Sequence, residues 1–240
     1  MLDDGFVLAV AGSDGTLLKS AELYNVTTGV WTITQSLIGL ARASHTATPL
    51  PAVGAYGSVL VAGGDVGGSV ATTDAELYDV ASGTWTLTAP LGTARFSHTA
   101  TILPGSGTGQ TVLVTGGKSG LNTLGGAELY NVTDGTWSPT GSLTTARSGH
   151  TAVLLPDGQV LVAGGLNASG QSLVSAEVYD FTTRMWTPVG PMGTARTGHT
   201  ATLLANGLVL VTGGNDGSGS FTSFDTAELY KVRISCLSLF

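Results

Sequence analysis

Charge and sulfur are scarce in this chain. Of its 240 residues only 10% are charged, and one is a cysteine, Cys236. A single cysteine excludes an intrachain disulfide, but a domain able to build an apolar core needs none in any compartment. The nine lysines and arginines form no basic run, and the net charge is −7. A phosphate backbone is held by a cationic stripe, so the composition argues against nucleic-acid binding. No apolar run approaches the ~18 residues of a membrane-crossing helix. The opening Met1-Leu2-Asp3-Asp4 is acidic and leads into a short apolar stretch from Phe6 to Ala11, so no signal peptide is visible. Helical periodicity is lacking throughout.

What is abundant is apolar residues, 42%, and glycine, 36 copies without a collagen-like period. The glycines belong to a repeat. Val-Leu-Val-Ala/Thr-Gly-Gly occurs at 59–64, 112–117, 160–165 and 209–214, with a looser copy at Val10-Ala11-Gly12-Ser13. Ala-Glu-Leu/Val-Tyr begins at Ala21, Ala75, Ala127, Ala176 and Ala227. Tryptophan follows seven positions after the tyrosine in Tyr24/Trp31, Tyr78/Trp85, Tyr130/Trp137 and Tyr179/Trp186. Then comes Ala-Arg-x-x-His-Thr, with Arg42/His45, Arg95/His98, Arg147/His150 and Arg196/His199.

Each unit reads as four short strands. In one, His150 to Leu155, Val160 to Ala163, Ala176 to Tyr179 and Met185 to Pro188 are separated by Pro156-Asp157-Gly158, Gly164-Gly165 and Thr182-Thr183. Asn206-Gly207 predicts a two-residue hairpin in the last unit. Four strands every ~50 residues fit the blades of a propeller.

Paired glycines after an apolar strand, then a tyrosine and a tryptophan seven positions on, resemble the Kelch motif. The resemblance covers nearly the whole chain. It implies an all-β Kelch-type β-propeller of about five four-stranded blades, and many Kelch propellers are interaction modules. The units run approximately 1–41, 42–94, 95–146, 147–195 and 196–240, and together are read as one domain. The chain starts on a second strand and its last recognisable strand is a third, so the ring is expected to be incomplete and part of a larger propeller. The rival reading is a closed five-bladed ring. Open blade edges imply possible self-association.

The rare residues sit in the repeat. All five glutamates, all four histidines and all four tryptophans occupy repeat positions. A catalytic site is one constellation placed once, whereas a residue copied into every blade serves packing. The tryptophans are therefore expected between blades, and the histidines hydrogen-bonded at the start of each first strand. No metal site or cofactor is expected. Glutamate and arginine are expected to pair once per blade, with Glu128 and Arg147 as the example. Asn25-Val26-Thr27, Asn131-Val132-Thr133 and Asn167-Ala168-Ser169 match the glycosylation pattern, the first two inside repeated hairpins.

Function on such a scaffold falls to segments that vary between units. These are the second-to-third-strand connections, 13–20, 65–74, 118–126, 166–175 and 215–226, on the face that also carries the Thr-Ala-Arg segments. The candidate binding residues there are Asp14, Asp65, Asp74, Lys118, Asn122, Asn167, Gln171, Asn215, Asp216, Phe221, Phe224 and Asp225. The opposite face has its own long connections at 49–58, with Tyr56, and 104–110.

The leading expectation is a non-enzymatic module binding a protein or a carbohydrate through that loop face. One alternative is a fragment of an enzyme similar to galactose oxidase, whose resemblance implies copper held by tyrosine and histidine beside a cysteine-linked tyrosine. Here Cys236 lies in the aberrant tail and no histidine lies outside the repeat. Another alternative is a structural segment of a larger surface protein. The lysine-poor, glycine- and threonine-rich composition inclines the expectation toward the cell surface or exterior of a bacterium.

Overall fold

A computed structural model describes residues 5–50, 57–105, 110–218 and 222–231. They form twenty strands and no helix. The first blade is β1 (Phe6–Ser13), β2 (Leu17–Asn25) and β3 (Val30–Ile33). The second is β4 (Thr46–Leu50), β5 (Ser58–Ala62), β6 (Ala75–Asp79) and β7 (Thr84–Leu87). The third begins with β8 (Thr99–Leu103) and β9 (Thr111–Thr115). The short pair β10 (Lys118–Ser119) and β11 (Asn122–Thr123) follows, and β12 (Ala127–Asn131) and β13 (Thr136–Thr140) complete it. The fourth is β14 (Thr151–Leu154), β15 (Val160–Ala163), β16 (Ala176–Asp180) and β17 (Met185–Val189), and the fifth is β18 (Thr200–Leu203), β19 (Val209–Thr212) and β20 (Ala227–Tyr230). This is a five-bladed, Kelch-type β-propeller.

All pairing within the blades is antiparallel, with Tyr130 opposite Trp137 and Tyr179 opposite Trp186 on adjacent strands. The Val-Leu-Val-Ala runs within β5 and β15 are apolar at every position because both of their faces are covered; from Val59 and Val160 onward each residue is buried. The core is a series of seams. One cluster joins Leu103, Leu113 and Leu129 to Val160, Val162, Tyr179 and Trp186 of the next blade, and similar clusters fill the other three seams.

The paired glycines end the second strands, and in the second, third and fourth blades the first of the pair is required by the following blade. Gly63 has φ +64°, and a Cβ there would lie 2.4 Å from the Arg95 carbonyl oxygen of the following blade. The hairpin at Asn206-Gly207 is not the expected two-residue turn. The Leu204 amide donates to the Leu208 carbonyl, and Gly207 at φ +78° closes a three-residue loop. That Gly in the left-handed region is what a type I turn needs to rejoin the twist of the strands. Leu155 and Gln159 pair in the same way around Gly158.

Successive blades pack through their innermost strands, β4 on β8, β8 on β14 and β14 on β18. Among the described residues no packing of comparable extent joins the fifth blade to the first. Among the described residues the first blade has three strands with β1 at its edge, and the fifth has three with β20 at its edge.

Candidate functional site

The seams that open the second, third and fourth blades are made by the same four contacts. In the fourth blade the Glu177 carboxylate accepts from the Thr144 and Thr145 amides at 2.7 and 3.1 Å, and from Arg147 Nη2 at 2.9 Å. Arg147 Nη1 also donates to the carbonyls of Gly164 and Ser175, both at 2.9 Å. Tyr179 shares a hydrogen bond with Thr140 Oγ1, and Trp186 Nε1 donates to the Gly141 carbonyl. The pairs Arg42–Glu76, Arg95–Glu128 and Arg196–Glu228 repeat this at 2.9, 2.8 and 2.8 Å. There is thus one Glu–Arg pair in each blade that carries the arginine, but the expected Glu128–Arg147 combination is wrong. The arginine precedes the inner strand and reaches the glutamate of its own blade, so Glu128 pairs with Arg95 and Arg147 with Glu177.

Burial raises the Glu177 pKa, but the Thr144 and Thr145 hydrogen bonds and Arg147 together hold it below the ordinary carboxylate value. The three later tryptophans line the seams as expected, whereas Trp31 is 51% exposed.

The histidines connect the inner strands. His98, His150 and His199 Nε2 share hydrogen bonds of 3.0, 3.0 and 2.9 Å with Thr46, Thr99 and Thr151 of the blade before. Burial, reinforced by the neighbouring arginine, lowers the pKa of His45 and His199 to about 4 and of His150 to about 3, and that of His98 well below its ordinary value. They are therefore neutral at pH 7. Beside them runs a backbone belt that sequence reasoning missed. The Ser97 amide donates to Ser44, Gly149 to Ser97 and Gly198 to Gly149, at 2.9, 3.0 and 3.1 Å. All four residues have positive φ, and the only sequence trace is serine or glycine just before each histidine.

The variable connections gather beside this belt. Asp65, Lys118, Leu166 and Asn215 form backbone bridges to Ala43, Phe96, Ser148 and Thr197, so each connection is anchored on the segment that carries the arginine. Neighbouring connections also touch, through Thr123 Oγ1 on the Asn167 carbonyl and Ser172 Oγ on the Asp216 carbonyl. The result is a continuous rim across several blades.

The rim candidates divide by what their side chains already do. Asp14, Asp65, Asn167, Asn215 and Asp216 accept from amides within their own loops and shape those loops. Asn167 also lies 3.4 Å from Gln171 Oε1. Asp74 contacts Arg42 at 3.4 Å, and Phe224 lies under the Arg196 guanidinium at 5.3 Å, so both support the seams. Asn122 and Asp225 are exposed, and Lys118 is half-buried with its backbone in β10. Phe221 and Tyr56 lie outside the described residues, as does Cys236.

Two surface grooves lie away from this rim. One of about 740 Å³, on the opposite face, is lined by Pro104, Asp157, Asp180, Phe181 and Arg184 among others. Another of about 630 Å³ follows a seam past Arg95, Glu128 and Trp137. Neither contains a rim candidate. Among the described residues no three His, Cys, Asp or Glu side chains group closely enough to hold a metal ion.

Comparison with known proteins agrees with this architecture. The solved structure described as "Structure of YjhT" superposes with a TM-score of 0.72 at 13% identity, covering 95% of this chain and 79% of that one. At that identity the likeness is one of fold. No curated protein sequence matches the chain. A family model described as Attractin/LZTR1 beta-propeller matches residues 24–235. With its strands, seams and repeated residues accounted for over that span, the chain belongs to the Attractin/LZTR1 β-propeller family.

Proposed function

We propose that this chain is a non-enzymatic Kelch-type interaction module that binds a protein or glycan partner through the rim of second-to-third-strand connections. One observation carries the reading. The repeated arginines and glutamates of the second to fifth blades are engaged in holding blades together, while the segments that vary from unit to unit fall in these connections. A buried carboxylate already satisfied by an arginine and two amides has no proton to exchange with a substrate. Buried histidines with depressed pKa values are likewise spoken for by their threonines.

The rim suits a macromolecular partner. It is wide, open and stiffened by its own loop hydrogen bonds, so little conformational entropy is lost on binding. Its charged residues are mostly acidic, Asp14, Asp65, Asp216 and Asp225 against Lys19 and Lys118, which favours a partner with cationic or hydroxyl-rich contacts.

The test is a glycan array and a displayed library of protein fragments, each probed with the labelled chain. Two variants accompany the wild type, Asn122→Ala/Asp216→Ala/Asp225→Ala on the rim and Asp157→Ala/Arg184→Ala on the opposite face. Binding lost only in the rim variant supports the reading. Binding lost only in the opposite-face variant, or absent from both libraries, overturns it.

A further inference from the structure

The outer strands β3, β7, β13 and β17 each lie at the end of a sheet, and they are not equally open to a further strand. Pro139 of β13 lies opposite Glu128, and Pro188 of β17 opposite Glu177. The same register place is held by Leu87 in β7, opposite Glu76, and by Ile33 in β3, opposite Glu22. The Thr88 amide donates to the Ala75 carbonyl, which makes that facing pair a hydrogen-bonded one. Opposed pairs alternate along an antiparallel ladder, so Glu76–Leu87 is not hydrogen-bonded, and the Leu87 amide and carbonyl turn outward. Trp85, two residues back, turns its backbone the same way. A proline at this place breaks no ladder bond but removes the outward donor, which closes the edges of β13 and β17. The edges of β3 and β7 stay open.

Charge divides the strands in the same way. The hairpins leading into β13 and β17 carry Asp134 and Arg184. Residues 80–94, which include all of β7, carry no charge, and Leu87 is 65% exposed. Charge and proline are the usual deterrents to edge pairing, and β7 has neither. The whole chain has a net charge of −7, so two copies repel except where they meet through uncharged surface. The strand is also a stiff template. It closes a four-stranded blade, and its Trp85 indole is buried and donates to the Gln35 carbonyl at 2.8 Å. In β3 the sequence is equally open, with Ile33 81% exposed, but among the described residues its blade has three strands.

We infer that β7 is the contact by which two copies of this chain associate, edge to edge about a two-fold axis at Thr86. In that register Leu87 of each copy faces Trp85 of the other, and the two exchange backbone hydrogen bonds through the groups that turn outward. Thr86 meets its own counterpart, a favourable cross-strand pair. The second blades of both copies become one continuous sheet. The contact is short. Four residues a side bury far less than the ~1,200 Å² of a stable interface, so the association is weak and reversible, with a dissociation constant on the order of 0.1–1 mM. The strand lies within the chain and is none of the rim connections, so the inference rests neither on the termini nor on the rim's function.

Sedimentation velocity and light scattering of the chain alone, over a concentration series, give the test. A dimer fraction that rises with concentration is expected, and salt should raise it further by screening the net charge. Amide hydrogen exchange should slow at Trp85 and Leu87 as the dimer forms. Leu87→Pro copies what β13 and β17 already carry at this register, so it should keep the melting temperature and weaken association roughly tenfold or more. Should that variant unfold, the exchange protection of the unaltered chain decides alone. Leu87→Val keeps the outward amide and should hold association within about twofold. A chain that stays monomeric up to its solubility limit overturns the inference. So does a dimer indifferent to Leu87→Pro, or one abolished by Ile33→Pro instead, which would place the contact on β3.

Discussion

Arg147 Nη2 donates to Glu177 Oε1 at 2.9 Å, and neither side chain is more than 1% exposed. The pair is wholly desolvated, and the same guanidinium ties down the Gly164 and Ser175 carbonyls at the end of β15 and the approach to β16. Removing one partner leaves the other buried and uncompensated. Arg147→Ala is therefore expected to cost about 3–5 kcal/mol in urea unfolding. A double-mutant cycle on Arg147 and Glu177 should show strong coupling. The same cycle on Arg147 and Glu128 should be additive, since Glu128 is bonded to Arg95.

Acid should loosen the inner strands before it protonates the seam carboxylates. The histidine pKa values are lowered from 6.5, to about 4 for His45 and His199 and about 3 for His150, because burial and the adjacent arginines disfavour the cation. Below pH 6.5 the unfolded chain takes up protons that the folded chain refuses. Stability is thus full above that pH and declines as pH falls toward the folded values, by at most about 1.4 kcal/mol per pH unit for each histidine. Glu177 adds a second decline only below its ordinary value of 4.5, since its folded pKa is lower still. Melting temperatures between pH 8 and pH 4 measure the first phase, and His150→Gln should flatten it.

The four tryptophans should not be equivalent. Trp186 is buried and donates to the Gly141 carbonyl at 2.8 Å, so Trp186→Ala is expected to cost about 3–5 kcal/mol. Trp31→Ala, at a half-exposed indole without that bond, should cost well under half as much. Chemical denaturation of the two variants gives the comparison directly.

Glycine is obligatory at the seams but not at every turn. Gly165 has φ +91°, and a Cβ there would come within 2.7 Å of the Ser148 carbonyl oxygen and 2.9 Å of His150 Cβ. Gly165→Ala should cost about 2 kcal/mol or more, strain and collision together. Gly170, at φ +74° with open space around it, should lose only about 1 kcal/mol as alanine. Thermal unfolding separates these outcomes.

The fold was legible because residues that pack blade against blade recur at fixed spacing, and tyrosine and tryptophan seven positions apart land opposite each other on neighbouring strands. The partner of each glutamate was not. Arg147 is nearer than Arg95 to Glu128 in sequence, and only the topology shows that the arginine is consumed within its own blade. The rim connections could be named from their variability, but Asp74 and Phe224 looked free until their contacts with Arg42 and Arg196 were seen. The belt through Ser44, Ser97, Gly149 and Gly198 is made by backbone groups, which leave almost no residue preference behind.

The seams run in one direction along the chain. Tyr78, Trp85 and Glu76 take their partners from Thr34, Gln35, Ile38 and Gly39, and His98 takes Thr46; in each case the partner is the earlier residue. On a ribosome that order means each new blade emerges to find its docking groups already synthesised. Nothing in the seam has to wait for sequence still in the exit tunnel, so the propeller can be assembled blade by blade at the pace of translation.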